Sequence, residues 1–162
     1  MSVSRHSGGL VIIFSFVIAI MLMMMPLSGG LVLFRPEFVV IVLIYWCIEL
    51  PERVGVVVGW FAGLMLDVVK GALLGQHAFA LAIVAWATLK LHQRIRVYPK
   101  WQQALSVFLL IVLSQMIVLW VQGIIGKSPN TWMYWIPSVT STLLWPWLYM
   151  LLRNLHRSYK VS

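Results

Sequence analysis

Residues 55–75, GVVVGWFAGLMLDVVKGALLG, decide the fold. Glycine recurs at 55, 59, 63, 71 and 75 in a run of Val, Leu, Met, Phe and Trp, and the missing step of that four-residue ladder, position 67, is an aspartate. Small residues four apart let a second helix approach closely, which is how helices associate in lipid, where no hydrophobic drive brings them together. Asp67 lies in the same stripe and must find a partner, because an ionisable group among apolar ones is costly alone. Steps of four drift by about 40° each on a 3.6-residue helix. Gly55, Gly59, Gly63 and Asp67 therefore share one face about 120° wide, which Gly71 and Gly75 cannot continue. Gly71 reads as a helix stop, and with Gly75 and Gln76 it turns the chain into an antiparallel helical hairpin.

Composition extends this reading to the whole chain. Of 162 residues, 62% are apolar and 10% charged, against roughly 25% charged in soluble domains. The mean hydropathy of +0.95 agrees with an integral membrane protein. Apolar runs near 20 residues predict spanning helices at 10–25, 32–50, 54–73, 76–91, 103–125 and 132–152. The runs lack the alternation of membrane barrel strands, and helices are what satisfies a backbone in hydrocarbon. The result is an all-α six-helix transmembrane bundle, a single multi-pass domain over 1–162. Its second span is the weakest, because Arg35, Pro36 and Glu37 interrupt it and leave Phe38–Leu50 as a short clean helix with a re-entrant or interfacial start. The first run is long, Met-rich and without a small-x-small cleavage site before Pro26, so it reads as a retained helix.

An even number of spans puts both termini on one side. Arg5, Arg53, Lys90, Arg94, Arg96, Lys100, Arg153, Arg157 and Lys160 share that side, against Arg35, Lys70 and Lys127 opposite. This asymmetry predicts cytoplasmic termini. The net charge of +8 then belongs to topology and anionic-lipid attraction, concentrated in a basic loop from His92 to Lys100 and in the tail. Nucleic acid is not an expected partner.

Catalytic and metal chemistry find few residues to use. Cys47 is the only cysteine, and His6, His77, His92 and His156 show no i, i+4 pair for a helical zinc motif. Gly126-Lys127-Ser128 resembles the end of a phosphate-binding loop, yet position 121 is Val where that loop needs Gly. No Gly-x-Ser-x-Gly sequence occurs, and no nucleophile and base pair is visible. The reading is a non-enzyme without cofactor or metal. Of the four acids Glu37, Glu49, Glu52 and Asp67, only Asp67 lies well inside a span. With Lys70 three residues on, it predicts a structural ion pair; a partner contact, or a proton relay, is the alternative.

The candidate partner or helix-packing residues are Arg35, Pro36, Glu37, Gly55, Gly59, Gly63, Asp67, Trp145, Pro146 and Trp147. Trp145-Pro146-Trp147 lies inside the last span, where proline frees a carbonyl and bends the helix. The other aromatics, including Tyr45 with Trp46 and Trp132 with Tyr134 and Trp135, fall near span ends and predict an interfacial belt. Gln76, His77, Gln115 and Gln122 could line a pocket, with buried interhelical hydrogen bonds as the plainer use.

Short motifs in fixed order resemble one family over nearly the whole chain. They are Phe34-Arg35-Pro36-Glu37 with Tyr45-Trp46, Leu50-Pro51-Glu52-Arg53-Val54, Gly63 with Asp67, Gly71, Leu74 and Gly75, Trp101-Gln102-Gln103-Ala104-Leu105, and Leu144-Trp145-Pro146-Trp147. Together they are similar to the rod shape-determining protein MreD. The resemblance implies a non-enzymatic subunit of the bacterial cell-elongation machinery in the cytoplasmic membrane. Its implied partners are MreC, and directly or indirectly RodA, a penicillin-binding transpeptidase and MreB, besides membrane lipids. It also implies a fold resembling the substrate-binding subunits of energy-coupling factor transporters. The rival reading is such a vitamin-binding subunit itself. Those subunits carry an Ala-x-x-x-Ala face on the first helix, where this chain has the single alanine Ala19.

Overall fold

A computed structural model describes residues 2–25, 37–49, 54–71, 75–124, 126 and 135–158. Six α-helices occur among them: α1 (Ser2–Met24), α2 (Phe38–Glu49), α3 (Val56–Lys70), α4 (Gln76–Val97), α5 (Lys100–Ile124) and α6 (Ile136–Ser158). Among the described residues, Trp101–Ile124 is long and apolar enough to cross a bilayer, while Leu10–Met24, Phe38–Glu49 and Val56–Val69 are shorter apolar helices.

The centre is α2. Its 12 residues rise about 18 Å, well short of a bilayer's hydrocarbon core of about 30 Å. It has no polar face, and every residue from Val39 to Ile48 is buried, as a helix apolar all round must be. Neighbours α4, α1, α6 and α5 pack around it. Tyr45 and Trp46, expected at the membrane surface, are both 0% exposed. For Trp46 the burial goes with a polar partner inside the bundle, which a buried ring N–H requires. Trp46 Nε1 donates to Ser15 Oγ of α1 at 2.9 Å, and Ser15 Oγ donates to the Ile12 carbonyl at 2.6 Å.

The basic segment from His92 to Lys100 is not a loop. Nothing between Lys90 and Tyr98 breaks a helix, and α4 runs on to Val97. It stops there because Tyr98 precedes Pro99, and the proline ring drives Tyr98 to an extended φ of −66° and ψ of 146°. The start of α5 is tied back to this stop. Gln103 Nε2 donates at 3.1 Å to the Ile95 carbonyl at the end of α4, which also accepts the Tyr98 N–H at 3.2 Å.

The expected stop of α3 at Gly71 is where the helix ends, with Gly71 at φ 65° and its N–H on the carbonyls of Asp67 and Val68. Gly75, at φ 101°, opens α4. The two left-handed glycines flank the reversal between α3 and α4.

Candidate functional site

The glycine face of α3 is filled by α4. A Cβ at Gly63 would collide with the Ala78 Cα and the His77 carbonyl oxygen, both backbone. One at Gly59 would stand 2.8 Å from the Leu81 carbonyl oxygen and 3.1 Å from Ala85 Cβ. One at Gly55 would make an ordinary 3.5 Å contact with Leu89 Cδ1. The seam therefore tightens toward the hairpin, and the space for a partner's helix along this face is taken by the chain's own next helix.

Asp67 closes the tight end. It is 0% exposed, and its carboxylate reaches across to the open first turn of α4. Gly75 N–H donates to Oδ2 at 3.0 Å, His77 N–H to Oδ1 at 2.9 Å and Ala78 N–H to Oδ2 at 3.4 Å. The His77 ring joins through Nδ1, 2.7 Å from Oδ1. A carboxylate only accepts, so the bond places the hydrogen on Nδ1. The first amides of any helix lack partners within it and present a partial positive charge. Asp67 meets both needs from the preceding helix. The Lys70 side chain lies outside the described residues, and the sequence alone gave no sign that α4's backbone would supply Asp67's partners.

The other candidates are dispersed. Arg35 and Pro36 lie outside the described residues. Glu37 is half-buried just before α2, and its N–H donates to Ser141 Oγ of α6 at 2.7 Å. Trp145 is wholly buried and its Nε1 donates to Gln103 Oε1 at 3.4 Å, whereas Trp147 is 71% exposed and Pro146 sits between them within α6. Gln76 and Gln115 are buried and Gln122 half-buried; Gln76 Nε2 meets no hydrogen-bond partner among the described residues. An apolar cleft lined by Ile18, Met21, Leu22, Met24 and Met25 lies on α1 and includes none of the four pocket candidates. Among the described residues no three His, Cys, Asp or Glu side chains are grouped to hold a metal ion.

A second polar cluster escaped the sequence reading. Glu49, at the end of α2, accepts from Tyr149 O–H of α6 at 3.2 Å. Arg96 of α4 donates through Nη2 to the Glu49 carbonyl at 3.0 Å and lies 3.7 Å from its carboxylate. The Tyr149 ring meets Tyr45 edge-on at 5.4 Å and tilts against Trp145 at 5.7 Å. These residues are separated by 47 and 100 positions, so no local spacing announces them. Gln76 and Arg96 stand 20 residues apart on α4, about 30 Å along a helix axis. The Asp67 and Glu49 clusters thus bracket one hydrocarbon thickness, as polar groups at the two surfaces of a membrane protein would.

Comparison with known proteins agrees. No solved structure matches the chain. Residues 4–155 match the family model described as rod shape-determining protein MreD. The rod shape-determining protein MreD of Haemophilus influenzae is 30% identical over 146 residues, covering 90% of each chain. With its helical bundle, its glycine seam and this match across nearly its full length, the chain belongs to the MreD family of membrane proteins that determine rod shape.

Proposed function

We propose that this chain is a non-enzymatic, multi-pass subunit of the cell-elongation complex in the bacterial cytoplasmic membrane, with both termini cytoplasmic, binding MreC and helping to link MreB to RodA and its penicillin-binding transpeptidase. Family membership over residues 4–155 carries this reading. The polar groups at the two ends support it, because Asp67, His77, Glu49, Arg96 and Tyr149 bond to one another or to backbone and hold helices together. Docking falls to surfaces that α4 leaves open. On α3 these are Val57, Trp60, Phe61 and Val68, all exposed, and on α6 Leu143, Trp147 and Leu151 along one stripe. Apolar and aromatic helix faces of this kind offer a single transmembrane helix a surface for van der Waals packing.

The six-helix arrangement is consistent with a fold like the substrate-binding subunits of energy-coupling factor transporters, an analogy of architecture that carries no transport activity with it. Detergent co-purification with MreC, using an unrelated membrane protein as control, tests the proposal. Selective retention of MreC is expected, with loss when Trp60 and Phe61 are both changed to Ala. Retention of a small vitamin and no MreC would replace this reading with transport.

A further inference from the structure

Around Glu49 the bundle builds an unbalanced positive surface. Among the described residues that end carries Lys90, Arg94, Arg96 and Arg153, all exposed, against the single carboxylate of Glu49. Lys90 rests its ammonium 5.8 Å from the Trp86 ring centroid, and Arg96 is held by Glu49. Arg94 and Arg153 have no hydrogen-bond or ion-pair partner among the described residues. Arg153 follows Tyr149 by four positions, one helical turn, and lies within electrostatic reach of its phenol and therefore of the Glu49 cluster.

The geometry is that of a half-filled site. Glu49 takes the Tyr149 hydroxyl on one oxygen and stands 3.7 Å from Arg96 on the other, which fixes where the guanidinium sits. A guanidinium has five N–H donors in a fixed fork, and among the described residues Nη2 alone is engaged. Half of the Arg96 side chain remains exposed, while Glu49's is 16% exposed. An incoming anion thus meets the half-exposed Arg96 before the more buried carboxylate, with exposed Arg153 one turn beyond Tyr149 on α6. The level also fits: this end of α4 lies about 30 Å from the Asp67 cluster, and Tyr98 and Trp101, both exposed, mark it as interfacial.

We propose that Arg153 and Arg96, positioned by Glu49 and Tyr149 at the junction of α2, α4 and α6, bind the phosphodiester headgroup of an anionic phospholipid. Charge complementarity selects this occupant. A phosphodiester accepts from guanidinium in bidentate fashion, and two arginines against one glutamate leave a charge of +1 that one anionic headgroup neutralises. A zwitterionic phospholipid offers the same phosphate but brings its own ammonium into a site already rich in cations. The inference needs only residence in the membrane and stands apart from the rod-complex assignment.

The test uses the full chain in detergent, incubated with an equimolar mixture of phosphatidylglycerol and phosphatidylethanolamine, re-purified and analysed for bound lipid. Phosphatidylglycerol should be enriched about fivefold, the effect of one basic residue at an anionic surface. R153Q should abolish the enrichment, and R94Q, on the same end but outside the cluster, should leave it in place. Equal loss in R94Q would mean diffuse attraction and overturn the site, as would full enrichment in R153Q. Displacement of the lipid by inorganic phosphate at constant ionic strength would assign the site to a free anion and overturn the proposal as well. Arg153 is exposed and has no hydrogen-bond partner among the described residues, so the R153Q protein should keep its wild-type melting temperature, and its lipid profile reports the site alone.

Discussion

The α3–α4 seam and the junction of α2 with α6 hold helices together by opposite means. At Gly63 backbone meets backbone, with no side chain between α3 and α4 to yield. At the junction, Tyr45, Trp145 and Tyr149 fill the space, with ring centroids 5.4 to 5.7 Å apart. Backbone contact fixes a separation and tolerates no added atom, whereas rings in mutual contact can shift within their rotamer wells. The first region specifies geometry, and the second supplies bulk. One more methyl should therefore harm the seam more than a lost ring harms the junction.

Gly63→Ala is the sharpest way to break that contrast. Its Cβ would press on the Ala78 Cα and His77 carbonyl, so α3 and α4 must separate along the seam. A destabilisation of about 3 kcal/mol or more is expected, at the upper end for overpacking. Thermal unfolding of the detergent-purified protein measures it; a melting temperature equal to wild type would mean that the helices are not in backbone contact.

Removing the clasp at the same seam comes next. Asp67→Ala strips an acceptor from three backbone N–H groups and from the His77 ring, at a cost of about 2–3 kcal/mol. Asp67→Asn keeps one accepting oxygen and should lose about half as much. Losses of this size lower the steady-state amount of a protein several-fold, so rod shape in a complementation assay should fail in step with abundance. Normal abundance with failed shape would give Asp67 a direct part in partner binding, and normal values of both would leave it no essential role.

The contrast also explains what could be read from the sequence. The glycine ladder, the stop at Gly71 and the hairpin follow from local spacing, because helical periodicity alone puts Gly55, Gly59 and Gly63 on one face. Which helix fills that face is not local information, so packing within the chain and docking of a partner looked alike. Tyr45 and Trp46 misled for the same reason. An aromatic pair near the end of an apolar run is usually interfacial, and only the tertiary bond from Trp46 to Ser15, 31 positions away, shows why it is buried. The Glu49 cluster was invisible because its members come from three helices. The helical course of 92–97 was legible, since no breaker precedes Pro99, but a dense run of charge looked like a loop.

On the junction side, Trp145→Phe keeps a ring against Tyr149 while losing the indole bond to Gln103. That bond is long at 3.4 Å, so its loss and the smaller volume together should cost about 1–2 kcal/mol. Unfolding in the same detergent ranks it against Gly63→Ala. A larger loss for Trp145→Phe would reverse the assignment of geometry and bulk to the two regions.

Gly55→Ala tests the contrast within the seam itself. The distances from an added Cβ lengthen from Gly63 through Gly59 to Gly55, where it would stand 3.5 Å from Leu89 Cδ1, the mobile tip of a side chain. Gly55 also sits at the N-cap of α3, with φ −143° and ψ −154°, extended values that alanine adopts freely. Alanine is a poorer cap than glycine, but the contact it adds is favourable, and the two effects are of similar size. A change within about 0.5 kcal/mol is expected, with Gly59→Ala falling between it and Gly63→Ala because Leu81 contributes a carbonyl and Ala85 only a methyl. If all three substitutions cost the same, the glycines would matter for helix conformation rather than for separation, and the seam would have no tight end for Asp67 to close.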